Sequence, residues 1–228
     1  MDGLEFLNSC SNEELDFLVR LIIDKGSLTE GLSSNEDYIK YALDHHRYVG
    51  VLEKEIIDFG SNTFWQDNDY REIVKLVADK SEIAYEEDDS LIELEDKLLA
   101  AVFEQSWAQL SEEDRKAVIQ ATDDRETFCM NASAAAFVGL LRIGSLNSFR
   151  LSLLIANTVS KIVFQRSLSF AVHAGITRGL TALAGPVTLV LTALWTTLDV
   201  AGPAYRVITP AVLYIASLRR MHGKEALA

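Results

Sequence analysis

The sequence predicts an all-α protein: an acidic helical N-terminal region, residues 1–130, then an apolar, basic helical region, residues 131–228, with a Gly/Pro-broken hairpin near its end. Three observations carry this. Apolar residues recur at helical spacing, no stretch alternates as a strand does, and charge is segregated along the chain. Of 34 acidic residues, 32 fall in residues 1–130 against 12 Lys and Arg, a formal charge of −20. Residues 131–228 hold Asp199 and Glu225 against 9 basic residues, a formal charge of +7.

The first helix is announced by "CSNEELDFLVRLII", where Ser11 and Glu14 have capping-box spacing and Leu15, Leu18, Val19 and Ile22 then share a face, to about Gly26. Asn35 or Ser34 caps a second helix bearing Tyr38, Tyr41 and Ala42, and another follows from Tyr48 to Phe59. "FGSNTFWQDNDY" reads as an exposed turn presenting Phe64 and Trp65, candidates for contact with a protein partner, before a helix from Tyr70 to Lys80. The acids of "YEEDDS" precede a helix with Leu91, Leu94, Leu98, Val102 and Phe103 on one face, where they suit the positive end of its dipole. They lack the alternating ligands and bend glycine of an EF-hand loop. Ser111 and Asp114 repeat the Ser-x-x-acid cap, and "TDDRETFCMNASAAA" joins the two regions.

The second region raises the question of a membrane. Twenty uncharged residues, "GLTALAGPVTLVLTALWTTL", lie between Arg178 and Asp199. As a helix they would span about 30 Å, the thickness of a hydrocarbon core, with Trp195 near one end as an interfacial anchor. Five threonines and the Gly185-Pro186 break make the tract less apolar than a Leu-rich span. After Arg206 only twelve residues, "VITPAVLYIASL", precede Arg219 and Arg220, too few for a span of ~20. A shallow or surface-lying hairpin fits better: Gly202 and Pro203 turn the chain, Asp199 and Arg206 pair across the bend, Pro210 interrupts the return leg, and Arg178, Arg219 and Arg220 stay on the cytoplasmic side. Upstream, "FRLSLLIANTVSKIVFQR" reads as an interfacial amphipathic helix or as a helix docked on the acidic region.

No catalytic constellation stands out. His45 and His46 are adjacent, so they diverge by about 100° on a helix and lack the i, i+4 spacing of paired ligands; they read as exposed polar residues near a helix end. His173 reads as a packing residue. Cys10 and Cys129 fit no ligand spacing together and read as reduced, partly buried thiols. The acidic N-terminal region disfavours nucleic acid, and the acids at the chain start do not suit a secretory signal, so a cytoplasmic setting is expected.

The segments "SNEELDFLV", "IIDFGSNTFW", "LSLLIANTVSKIVF" and above all "TTLDVAGPAYRVITPAV" resemble the YaaW family of bacterial proteins over nearly the whole chain. That family is described as having a region similar to ubiquinol-cytochrome c chaperones. The resemblance implies a helical protein-binding role and gives no ground for assigning electron transfer or a redox cofactor.

The sequence thus leads to a non-enzymatic, membrane-associated helical protein, chaperone-like or an assembly factor, with no cofactor and no metal. Its expected partners are another protein and an anionic membrane surface at the inner membrane, and homo-oligomer formation is left open. The alternatives are a soluble helical interaction protein and a pore former inserting residues 179–218.

Overall fold

A computed structural model describes residues 3–25, 45, 49–61, 69–122, 146–164, 185–186 and 203–222. Among these the regular structure is helical throughout: a short 3-10 turn, Glu5–Ser9, then α1 (Asn12–Lys25), α2 (Val49–Gly60), α3 (Tyr70–Lys80), α4 (Leu91–Ala108), α5 (Glu112–Thr122), α6 (Leu146–Phe164) and α7 (Tyr205–His222). The all-α expectation holds, and five of these helices start within a residue or two of where the sequence placed them. The helix expected around Tyr38, the Phe64–Trp65 turn, the joint between the regions and most of the uncharged tract lie outside the described residues.

Local signals explain the starts. Ser11 Oγ accepts the Glu14 N–H (3.3 Å), and Glu14 Oε2 accepts the Ser11 N–H (2.7 Å), closing the predicted capping box on α1. Asp69 accepts the Glu72 N–H at α3 (2.9 Å). Ser90 and Glu93 form a second reciprocal box at α4, which the sequence reading passed over. At α5, Ser111 Oγ accepts the Asp114 N–H (3.1 Å) and donates to its carboxylate (2.7 Å).

The arrangement turns on α7. It packs most extensively on α6 and also touches α1, α2, α3 and α4. Every residue from Val207 to Leu218 is buried. A helix that is apolar on all sides belongs inside a protein or a membrane, and here protein surrounds it. The twelve residues too short to span a bilayer are the central core helix of the fold.

Named contacts fix its direction. The Ala204 N–H donates to Phe59 O at the end of α2 (2.9 Å), and Lys80 at the end of α3 lies over the Tyr205 ring (5.1 Å). At the other end Arg219 meets Glu95 near the start of α4 and His222 meets Glu14 in the first turn of α1, while Tyr214 in the middle of α7 stacks on Phe17 of α1 with centroids 4.2 Å apart. So α7 runs opposite to α1, α3 and α4, and the starts of those helices gather around its C-terminal end.

Two expectations change. Pro210 was expected to interrupt the return leg; instead one helix runs from Tyr205 to His222 with Pro210 buried inside it. Pro210 lacks an N–H and costs a helix interior about 3 kcal/mol; the large buried side chains around it, at about 1.5–3 kcal/mol each, outweigh that. Second, the segment read as interfacial or docked is α6, whose residues 152–160 are all buried. It packs against α5 and α7, so docking describes it and an interfacial position does not. Among the described residues no helix is long and apolar enough to cross a membrane.

Candidate functional site

The C-terminal turn of α7 carries Arg219, Arg220 and His222, cations that complement the negative end of its dipole. Each meets a carboxylate from the opening turns of α1 or α4: Arg219 with Glu95, Arg220 with Asp96, and His222 with Glu14. Opposite charges and opposite dipole ends therefore meet at one pole of the molecule.

The first pair is the deepest. Arg219 Nε lies 2.7 Å from Glu95 Oε2, and an Nη2 hydrogen reaches Oε1 at 3.2 Å. The Tyr70 hydroxyl donates to the same Oε1 (3.1 Å), and Arg219 also donates to the Gly3 carbonyl. Its guanidinium stacks over Phe6, 4.3 Å from the ring centroid. The Glu95 side chain is 1% exposed and that of Arg219 13%. Burial pushes the Glu95 carboxyl up, with Arg219, Tyr70 and Arg220 pulling against it. The same burial disfavours charge on Arg219, but Glu95 more than offsets it. Tyr70 is fully buried, and its hydroxyl is held neutral by that burial and by the Glu95 charge.

Beside this pair lies a second group. Cys10, buried and not in a disulfide, sits with Glu14 and His222 so that one ligand atom of each lies within 4.8 Å of the others. His222 Nε2 is 2.9 Å from Glu14 Oε1. Hydrogen bonds to Cys10 and Glu14 push the His222 pKa up to about 10 against the effect of burial. Burial alone would raise Glu14; hydrogen bonds from His222 and Ser11 overturn this and hold it below its ordinary value. The Tyr214 hydroxyl donates to the Glu14 carbonyl (2.8 Å), tying the middle of α7 to the start of α1.

His45 was read as exposed, and it is buried, 3% accessible, with Nε2 3.4 Å from Asp16 Oδ1. Asp16 also takes the Arg20 Nε–H at 2.6 Å, one turn along α1. His46 lies outside the described residues.

The acid run before α4 is cross-linked to its neighbours. Lys75 reaches Glu87 (2.8 Å), Arg71 donates to the Glu87 and Asp89 carbonyls, and Asp89 accepts from Lys97 and from the Glu86 N–H (2.7 Å). These contacts, together with the helix start, account for the acids here.

With the geometry in hand, the chain can be set beside known proteins. Over 227 residues it is 32% identical to a UPF0174 protein of Helicobacter pylori strain J99, covering 95% of this chain and 90% of that relative. The chain belongs to the UPF0174 family. It is also 28% identical over 230 residues to the UPF0174 protein YaaW of Escherichia coli, covering 96% of this chain and 93% of that one. A UPF0174 protein of a second Helicobacter pylori strain is 25% identical over 203 residues, covering 84% and 97%. The YaaW resemblance read from the sequence is thus borne out as family membership. No family model matches the chain, and no solved structure matches it.

Within this UPF0174 chain the residues singled out from sequence separate. Arg219 and Arg220, expected to flank a membrane hairpin, are the two arginines paired with Glu95 and Asp96. Pro203 and Arg206 are half-buried at the start of α7, Gly185 is exposed and Pro186 half-buried. Phe64, Trp65, Arg178, Trp195, Asp199 and Gly202 lie outside the described residues, so the Asp199–Arg206 pairing does too.

The sequence reading missed Glu95, Asp96, Tyr70, Cys10, Glu14 and His222 as a group, because they lie up to 212 positions apart, from Cys10 to His222. One local signal was there. Glu95 and Asp96 sit among Leu94, Leu98 and Leu99 on α4, and two adjacent acids within an apolar face call for buried bases.

Two outcomes follow. Arg219→Met should lower the unfolding free energy by about 3–5 kcal/mol, because Glu95 stays buried without its counter-charge. Glu95→Gln combined with Arg219→Met removes both charges and keeps an acceptor for Tyr70, so chemical denaturation should show a smaller loss than for the single change. The second outcome concerns pH. Asp89 is held below its ordinary value of 3.8, chiefly by Lys97 and then by the Glu86 N–H. A depressed acid stabilises the fold above its unfolded value and loses that contribution as pH falls through its folded value. Thermal melts should therefore place Asp89→Asn below the parent at neutral pH, with the gap closing as pH falls through the lowered folded value of Asp89.

Proposed function

We propose that this chain is a non-enzymatic helical interaction protein, chaperone-like or an assembly factor, held at the cytoplasmic face of the inner membrane by its uncharged stretch 179–198. The supporting observation is the packing of α6 and α7. The two helices pack on each other, and α7 is packed into α1–α4. The helices that precede and follow residues 165–202 in the chain therefore both belong to the packed fold. The twenty uncharged residues fall between those two helices, with Arg166 and Arg178 before them to meet anionic headgroups. Phe64 and Trp65, between α2 and α3 in the chain, are the candidates for the protein partner. The −20 charge of residues 1–130 weighs against nucleic acid.

A second reading, a soluble interaction protein without lipid contact, is favoured by one observation. Arg219 and Arg220 are engaged with Glu95 and Asp96, which removes two bases that would otherwise meet lipid. A pore made by inserting residues 179–218 is not carried forward. It would pull α7 out of the core and strand Glu95 without its base, at a cost of several kcal/mol.

Flotation on a density gradient separates the two surviving readings. The full chain should rise with vesicles containing phosphatidylglycerol and cardiolipin, and a Leu191→Asp, Leu194→Asp variant should stay at the bottom while keeping the parent's helical signal. A parent chain that stays at the bottom, or a variant that floats equally well, defeats the membrane reading and leaves the soluble one.

A further inference from the structure

Cys10, Glu14 and His222 are a thiol, a carboxylate and an imidazole brought together from the end of the 3-10 turn, the first turn of α1 and the last residue of α7. We propose that these three side chains bind a single Zn2+ ion, which fastens the C-terminal helix to the N-terminus of the chain.

The donor set decides which ion fits. A thiolate sulfur with an imidazole nitrogen selects a borderline-soft metal, whereas Mg2+ and Ca2+ require oxygen ligands. Tetrahedral zinc with bonds of about 2.0–2.3 Å places its ligand atoms roughly 3.3–3.8 Å apart. The three atoms here lie within 4.8 Å of one another, with Nε2 and Oε1 at 2.9 Å. Side-chain adjustments of about an ångström would admit the ion.

The ligands are also oriented from behind. Ser11 holds Glu14 Oε2 through its N–H (2.7 Å) and its hydroxyl (2.9 Å), which leaves Oε1 directed at His222. Tyr214 holds the Glu14 backbone through its carbonyl, and the Cys10 N–H is fixed on Leu7 O (3.1 Å). Such outer contacts are what a metal site needs to keep its ligands aligned. Cys10 is fully buried, whereas the Glu14 and His222 side chains are 14% and 17% exposed, so an ion would enter over those two. Three protein ligands leave a fourth position for water or for a ligand atom from a partner.

Without metal, the His222 proton bridges to Glu14. On binding, the ion replaces that proton and the thiol proton, both of which pass to solvent. Binding to the folded chain alone also raises its stability with metal concentration.

Cobalt(II) tests this directly, because it takes the same geometry and is coloured. Titrated into the reduced, tag-free full chain, it should give a near-ultraviolet thiolate-to-metal band and intense tetrahedral d–d bands that saturate near one equivalent, and Zn2+ should bleach both. His222→Ala, at the end of α7, should fold and lose at least about tenfold in affinity. Cys10→Ser should lose the near-ultraviolet band, whereas Cys129→Ser should keep it. Zn2+ should raise the melting temperature of the parent but not of His222→Ala. The proposal is overturned if no thiolate band appears, if the band follows Cys129, or if His222→Ala binds as tightly as the parent.

Discussion

Because α7 is enclosed by protein on every side, the charges in its last turn cannot all remain in water, and the rest of the molecule is arranged around that constraint. Arg219 enters the interior only because Glu95 accepts two of its hydrogens, Tyr70 donates to the same carboxylate, and Gly3 offers a carbonyl. Coulomb attraction in a low-dielectric interior offsets desolvation only when such hydrogen bonds complete the geometry. The N-terminal strap of the chain is thereby drawn in: Phe6 lies under the guanidinium, and Leu4 and Leu7 are buried. A pair 124 positions apart in sequence thus closes the fold at one pole.

The same constraint reassigns the two halves of the chain. By charge the division falls near residue 130, yet α7 belongs to the core built by α1–α4. The excess base of the second region partly neutralises buried acids of the first. Among the described residues no helix is long and apolar enough to cross a membrane, and both α6 and α7 are packed on other helices of the protein.

How much of this was legible in the sequence follows from interaction range. Helix starts were readable because capping is local: Ser11 accepts the Glu14 N–H and Ser111 accepts the Asp114 N–H, each at the three-residue spacing seen in the sequence. The core face of α1 was readable for the same reason, and Leu15, Leu18, Val19 and Ile22 are all buried. The place of α7 was not. An all-apolar helix looks the same to a hydropathy reading whether lipid or protein surrounds it, and only its brevity argued against lipid. His45 was misread because nothing nearby in sequence announces that Asp16, 29 positions earlier, will face it. The Cys10, Glu14 and His222 group is the extreme case, since opposite ends of the chain supply it.

Backbone hydrogen exchange across Val207–Leu218, with and without anionic vesicles, tests the place of α7 most directly. A central core helix should have amides among the slowest in the protein, exchanging only through global unfolding, and vesicles should leave that protection unchanged. Fast exchange in this segment without lipid, or protection that appears or disappears when vesicles are added, would contradict the account.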